Sequence, residues 1–473
     1  MSTVPALAGP ACPDEAQTRE LRSILGRRVW HLAIPAIGEN LLATLLLLVD
    51  TLMIAPFGKV PLAASAVAGI LAWRTFMTFG CIEKGTTALV ARNTGAGDLE
   101  KVAVVVAQSI WLALGIGLLM GCLGWFLSER LLIWIGAAPD VVAVGTPFLQ
   151  VILLASVPRM FFFVASASLR GAGDTRSPMW VTLCMNFTNI AFNYPLIFGL
   201  NAIPSIGFPG LRPLGLTGSG ISTAMSITLA SCAIGWILYH GRSKFQVRRR
   251  HFRFNWPVIK SIWRIGMPSL FEEFIITIGF LMFFSFITQM GTVALAAHSI
   301  ATRVESLSFM AGLGFTVAAA TLVGQSLGQK NVPLARLSFR ISTRYCVMLM
   351  SLISVLLIVF SADIVHVFAP GGGDPLVEKI AATLLCIAAI EQPLLGVAMT
   401  LGGGLRGAGD TVRPMFTSLA GSLIVRITAC YILTFPLGMG IYGIYVGTFV
   451  DWAVRSLMML YFFRRERWAK LTV

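Results

Sequence analysis

The chain has 473 residues, of which 56% are hydrophobic and 12% charged. A soluble domain carries roughly 25% charged residues, so this composition excludes a water-soluble globule and makes the bilayer the solvent. The net charge of +15 would suit a nucleic-acid binder, but the Lys and Arg residues stand in short segments between apolar runs, and no nucleic-acid partner is expected.

Residues 1–28 lack a basic start followed by an apolar core, so no cleaved signal peptide is expected and they read as a cytoplasmic tail. A spanning helix needs about 20 mostly apolar residues. Twelve such stretches follow in order: 29–54, 61–91, 103–127, 141–168, 178–200, 216–240, 263–289, 293–327, 338–362, 376–403, 414–437 and 439–463. Alternating strand patterns are absent, which excludes a β-barrel. The expected fold is all-α, with an N-lobe at 29–240, a basic linker at 241–262, a C-lobe at 263–463 and a tail at 464–473.

Most of the 36 Lys and Arg residues fall in the tails and in alternate connections. The opposite connections hold only Lys59, Arg130, Arg212 and Lys379. The rich side is therefore expected to be cytoplasmic, with both termini inside. Arg248-Arg249-Arg250 in the linker suit anionic lipid at the inner surface. The eight cysteines show no paired or metal-like spacing, and seven lie in apolar segments, where Cys acts as a small hydrophobe.

The chain repeats itself. Leu-Arg-Gly-Ala-Gly-Asp-Thr occurs at 169–175 and again at 405–411, each time followed by Pro-Met two residues later (Pro178-Met179, Pro414-Met415). Gly58 to Ala64 aligns with Gly291 to Ala297, and the same offset pairs Phe76-Met77 with Phe309-Met310 and Gly95 with Gly328. Such self-similarity marks a duplicated unit. Six spans per half make the halves parallel repeats about an axis along the membrane normal, able to enclose a cleft and rock around it.

The doubled heptapeptide, Val49-Asp50-Thr51 in the first span, Gly291 to His298, and Val323-Gly324-Gln325 resemble the multidrug and toxic compound extrusion (MATE) family over about residues 28–463. The resemblance implies twelve helices in two six-helix lobes, V-shaped around a central cavity. It implies export of amphipathic, often cationic compounds driven by inward flow of H⁺ or Na⁺, with no cofactor. A lipid-linked oligosaccharide flippase of related architecture is the alternative; it would need a basic cavity. No nucleophile–base set, metal-ligand motif or ATP-binding motif appears, so no enzyme activity is expected. A small-molecule substrate, the inner membrane and a monomer complete the expectation.

An ionisable group in hydrocarbon costs roughly 2.5–3.5 kcal/mol or more, so intramembrane acids point to function or to pairing. Asp50 sits among leucines with no local partner, in the half of the membrane away from the termini. Such a group suits a proton carrier, or a Na⁺ ligand with neighbouring oxygens, and it matches the family's first-helix carboxylate. Glu272 and Glu273 follow Pro268 as Glu39 and Asn40 follow Pro35. Proline frees a backbone carbonyl, and Glu272 with Glu39 takes the cavity-facing position; Glu273 is secondary, and Na⁺ at Glu272 is a second option. Glu272, Glu305 and Glu391 reach one depth and are expected to form one acidic pocket. Asn186, Asn189 and Asn193 share a helical face, expected to build a polar site with Asp50. Some family members carry Asp where Asn193 stands. Asp451 and Arg455 are spaced for a helical ion pair. The heptapeptides are read as structural turns, with Arg170–Asp174 and Arg406–Asp410 closing local ion pairs. Glu83-Lys84 has no counterpart in the second half and receives no role.

Overall fold

A computed structural model describes residues 15–199, 212–241, 244–368 and 374–471. Residues 1–14 of the expected N-terminal tail, including Cys12, lie outside the described residues. The chain is nearly all helix. The first lobe holds α1 (Glu15–Ile54), α2 (Lys59–Phe79), α3 (Cys81–Gly95), α4 (Leu99–Trp134), α5 (Pro139–Leu154), α6 (Ser156–Ala172), α7 (Arg176–Phe198) and α8 (Gly215–His240). The second holds α9 (Trp256–Thr288), α10 (Thr292–Gly328), α11 (Val332–Val359), α12 (Ser361–Phe368), α13 (Pro375–Gly407), α14 (Val412–Ser418), a π-helical stretch at Leu419–Val425, α15 (Arg426–Thr434) and α16 (Ile441–Arg464).

These elements make twelve spans in two six-helix lobes. Among the described residues, ten helices are long and apolar enough to cross a bilayer, and the bent pair α5–α6 makes eleven. The twelfth span is α7, whose 23 residues include the three asparagines that lower its hydropathy. Second spans differ between halves: α10 runs unbroken, whereas its counterpart splits at Gly80 into α2 and α3.

The repeat is visible in backbone detail. Gly58 and Gly291 open α2 and α10 at φ 99° and 93°. Asp98 and Asn331 cap α4 and α11 by accepting from the backbone N–H three residues on, at 3.0 and 2.9 Å. The first half has Gly97 at positive φ and the second has Lys330, at 57°.

The heptapeptides show why their sequence recurs. Each forms a Schellman closure: Asp174 N–H donates to Leu169 O and Asp410 N–H to Leu405 O, both at 2.9 Å. Gly173 and Gly409 take φ of 89° and 88° to make the turn. Asp174 then accepts from Ser177 N–H at 3.1 Å, and Asp410 from Arg413 N–H at 3.3 Å, starting the next helix. Glycine ends one helix, and aspartate begins the next.

In lipid, helices associate through close packing rather than hydrophobic expulsion, and small residues permit it. The lobes meet along the half that carries the termini. Leu25, Val29, Leu32 and Ala33 of α1 pack with Phe315, Ala318 and Leu322 of α10. Trp30 stands edge-on to Phe315 at 5.2 Å. At the α3–α9 crossing, a Cβ on Gly85 would lie 2.5 Å from Ile262 O, and one on Gly266 3.1 Å from Cys81 O. Thr321 donates to Arg170 O at 2.9 Å and Gln325 to Gly171 O at 3.1 Å. Toward the far side, Leu45, Leu47, Leu48 and Leu52 of α1 are all exposed, on the faces turned away from Asp50 and α7. The lobes close on the terminal side and part on the other.

The linker is strapped to α4. Gln108 donates to Arg253 O at 2.9 Å and accepts from Asn255 N–H at 3.1 Å, and Trp111 donates to Phe252 O at 3.1 Å. Arg250 and His251 both reach Glu100, at 2.9 and 3.0 Å.

Candidate functional site

In the first lobe, Asp50 on α1 accepts from Asn193 Nδ2 on α7 at 2.5 Å. Asn193 also donates to Asn189 Oδ1 at 2.9 Å, and Asn189 donates to Thr223 on α8 at 3.3 Å. Asn186 donates to Leu42 O of α1 at 2.6 Å. The stripe thus faces α1 and α8 and is fully buried at Asn189 and Asn193. Asn193 Oδ1 is buried without a hydrogen-bond partner, leaving an acceptor open beside a carboxylate. Arg159 on α6 is within electrostatic range of Asp50; its guanidinium lies 4.6 Å from the Phe76 ring centre, and its Nε has no partner.

The Glu residues four after each proline lie elsewhere. Glu39 accepts from Arg170 at 2.7 Å, and Glu83 also accepts from Arg170 at 2.5 Å. Glu272 accepts from Arg406 at 2.5 Å and from Ser418 at 2.9 Å. The expected local pairs Arg170–Asp174 and Arg406–Asp410 do not form: the aspartates are engaged in capping, Asp410 also with the Arg413 side chain. Each Arg reaches back across its lobe to the first helix. Both α1 and α9 run helically through Pro35 and Pro268. The cation beside each Glu is a guanidinium.

The three-acid pocket is accordingly a pair. Glu305 on α10 and Glu391 on α13 lie in electrostatic range of each other, with Arg426 in range of both. His298 and Tyr445 pair at 2.8 Å in the same lobe, and Tyr445 is in electrostatic range of both acids. Glu272 joins the arginine instead.

Asp451 is paired as its spacing predicts, with Arg455 Nε at 2.6 Å, and also with Arg426 at 2.8 Å. The π-helical stretch brings Gly421 against this pair, where a Cβ would overlap both Asp451 and Arg455. Phe161 lines an apolar cavity of about 580 Å³ with Leu154, Pro158, Ala224 and Cys232.

The MatE family model matches residues 35–195 and 268–432, one block in each half of the chain. This protein belongs to the MATE family of multidrug efflux transporters. It is 29% identical over 447 residues, 94% of each chain, to a protein of Thermotoga maritima named "Probable multidrug resistance protein NorM". It is 25% identical to the "Uncharacterized transporter YisQ" of Bacillus subtilis, over 89% of this chain and 90% of that one. Its fold matches a solved structure described as the "Outward-facing conformation of a multidrug resistance MATE family transporter of the MOP superfamily", with TM-score 0.85 and 20% identity over 94% and 97% of the two chains. A MOP superfamily transporter from Pyrococcus furiosus matches with TM-score 0.86 and 20% identity, over 96% and 98%.

Within this MATE chain, one ion pair between the lobes escaped sequence reasoning. Lys84 of α3 pairs with Glu273 of α9 at 2.8 Å, joining the lobes. Arg74 lies in electrostatic range of the same Glu273 and 5.0 Å from the Phe280 ring centre across the lobe boundary. The signal available was that neither Lys84 nor Glu273 has a charged counterpart in the other half: the aligned residues are Val317 and Asn40. A charge absent from the repeat fits a contact between the repeats.

Proposed function

We propose that this transporter is a secondary antiporter that exports amphipathic, cationic small molecules in exchange for H⁺ or Na⁺ by alternating access. The observation that carries the reading is Asp50. It is an intramembrane carboxylate whose only hydrogen-bond partner among the described residues is the amide of Asn193, next to an unfilled carbonyl oxygen. A carboxylate with an adjacent free acceptor suits an incoming cation, whether proton, Na⁺ or substrate. One negative charge cannot serve two cations at once, so competition at Asp50 couples the fluxes. The Glu305–Glu391 pair offers a second place to take or release a proton. Lobes closed on the terminal side are the state in which substrate leaves and the coupling ion enters. The positive-inside pattern puts that side in the cytoplasm of a cell with its transporter in the inner membrane, and the protein acts as a monomer.

The flippase alternative rests on Arg159 and Arg74, two cations in the interior. The acids at Asp50, Glu305 and Glu391 favour a cationic cargo.

The test is efflux of a cationic dye from proteoliposomes under pH and Na⁺ gradients imposed separately. Wild type responds to at least one gradient. Asp50→Asn inserts normally and loses gradient-driven efflux. Full efflux in Asp50→Asn removes this residue from the mechanism.

A further inference from the structure

A second cavity, of about 250 Å³, opens on the terminal side, between the lobes and away from the acids. It is lined by Arg27, Arg28 and His31 of α1, Gly173 of the first heptapeptide, Lys244 of the linker, and Leu322 and Gln325 of α10. Three elements of the first half and one helix of the second thus converge on it. Among the described residues, Arg27, Arg28 and Lys244 form no ion pair with an acid. Arg28 and Lys244 repel each other. Arg176 adds a fourth positive field at His31. The carboxylate in electrostatic range of His31 and Lys244 is Asp174, whose oxygens already accept from the Ser177 N–H and hydroxyl at 3.1 and 2.7 Å. Gly173 keeps the wall low: a Cβ there would come 3.2 Å from Gln325 Nε2 and 3.5 Å from Lys244 Nζ.

Cations without counterions, held around one concavity, repel one another unless an anion joins them. Paired guanidinium groups match phosphate in geometry as well as charge. We propose that this cavity binds a phosphate group, donated either by an anionic phospholipid headgroup or by free phosphate. The position suits both sources, because the cavity opens where the expected cytoplasmic ends of α1 and α10 meet the linker. A bound phosphate touches α1, the linker and α10 at once, so it ties the two lobes together on this side. The site is separate from Asp50 and from the Glu305–Glu391 pair.

The experiment uses the full-length protein purified in a neutral detergent. Three probes are compared: dihexanoyl-phosphatidylglycerol, dihexanoyl-phosphatidylcholine, and inorganic phosphate against chloride at equal ionic strength. Adducts are counted by native mass spectrometry, and melting temperature is recorded alongside. Wild type binds phosphatidylglycerol in preference to phosphatidylcholine. Protection by inorganic phosphate as well identifies free phosphate as a sufficient ligand, whereas protection by the lipid alone identifies a headgroup. Arg28→Gln and Lys244→Gln each weaken binding by about tenfold or more, as the loss of a charge-assisted hydrogen bond should. Lys244 is exposed and outside any helix, so its variant folds. The control Arg249→Gln removes the same single charge from the linker outside the cavity, keeps the Arg250–Glu100 pair, and leaves binding intact. The proposal falls if phosphatidylglycerol and phosphatidylcholine bind alike with no phosphate effect, or if the control loses as much as the cavity variants.

Discussion

Glu39 and Glu272 occupy equivalent places in the repeat but differ in how well their arginines are insured against loss. Arg170 has two carboxylates, Glu39 at 2.7 Å and Glu83 at 2.5 Å. Arg406 has one, Glu272, which is 2% exposed and is helped only by the Ser418 hydroxyl. Glu272→Gln therefore leaves a guanidinium facing a neutral amide in a low-dielectric interior. Breaking a buried pair from one side costs about 3–5 kcal/mol; Arg406 is 20% exposed, which places the cost toward the lower end. Glu39→Gln leaves Arg170 neutralised by Glu83, and the loss is that of one charge-assisted hydrogen bond, about 1.5–3 kcal/mol. The gap between the variants is then up to about 1.5 kcal/mol, or as much as roughly tenfold in the folded-to-unfolded ratio. Removing both partners, Glu272→Gln/Arg406→Gln, takes away the stranded charge and recovers part of the loss, so the two single costs are not additive. The assay is unfolding by sodium dodecyl sulfate in mixed micelles, followed by tryptophan fluorescence. The reasoning fails if Glu39→Gln is as damaging as Glu272→Gln, or if the double variant shows the full sum of the single losses.

Three further outcomes follow from the lobe boundary and linker. Gly85→Ala pushes a methyl onto the Ile262 carbonyl, at a cost of about 1–3 kcal/mol to the closed arrangement; the distance between spin labels at Lys101 and Lys330 should lengthen and broaden, and an unchanged distribution would show that the crossing tolerates the methyl. Lys84→Glu sets like charges together across the lobes and should slow transport, while Lys84→Glu/Glu273→Lys restores it. Both side chains are partly exposed, at 29% and 19%, so the effect is about 1 kcal/mol or less, and equal rates in the single and swapped variants would deny the pair a role. Glu100 is held below the usual carboxylate value of 4.5 by the His251 hydrogen bond first, and by the charges of Arg250 and His251. A depressed carboxylate contributes docking strength above its unfolded pKa and loses it as pH falls through its folded one, so the linker should loosen only below about pH 4.5. Limited proteolysis of residues 244–255 at stepped pH reads this, and Glu100→Gln should show the loosened pattern at neutral pH.

The spans were legible because hydropathy must match bilayer thickness, and that constraint acts on each segment alone. Even α7, the least apolar span, was found, because its asparagines fall on one face. Breaks inside spans were less legible. Nothing local distinguishes Gly80, where the second span splits, from the many glycines that helices tolerate, and Ala155, where α5 ends, is an ordinary helix former. The heptapeptide was recognised as a turn, but its arginine was assigned to the nearest acid. The actual partner of Arg170 lies 131 residues away, and sequence spacing carries no information about contacts made by folding the lobe. The Asp50–Asn193 contact was approached from both ends, since each residue was conspicuous in its own helix, although the hydrogen bond between them required the fold. The grouping of Glu272 with Glu305 and Glu391 failed because depth fixes height in the membrane but not azimuth around the lobe.

The charges divide by whether the repeat copies them. Glu39–Arg170 and Glu272–Arg406 are copied, and both hold a first helix to the turn that closes the fourth span of its lobe. Each lobe must maintain its own shape while it moves, so a device that stiffens one lobe serves the other equally. Asp50, Glu305, Glu391, Lys84 and Glu273 are not copied: the aligned positions of Asp50 and Glu305 are Phe283 and Ala72. A charge that binds cargo in one lobe, or that bridges the two, has no reason to be doubled. The duplicated arginines therefore mark the scaffold, and the charges that break the symmetry are where transport chemistry is to be sought. Asp50, Glu305 and Glu391 stand out among them because none has an ion-pair partner among the described residues.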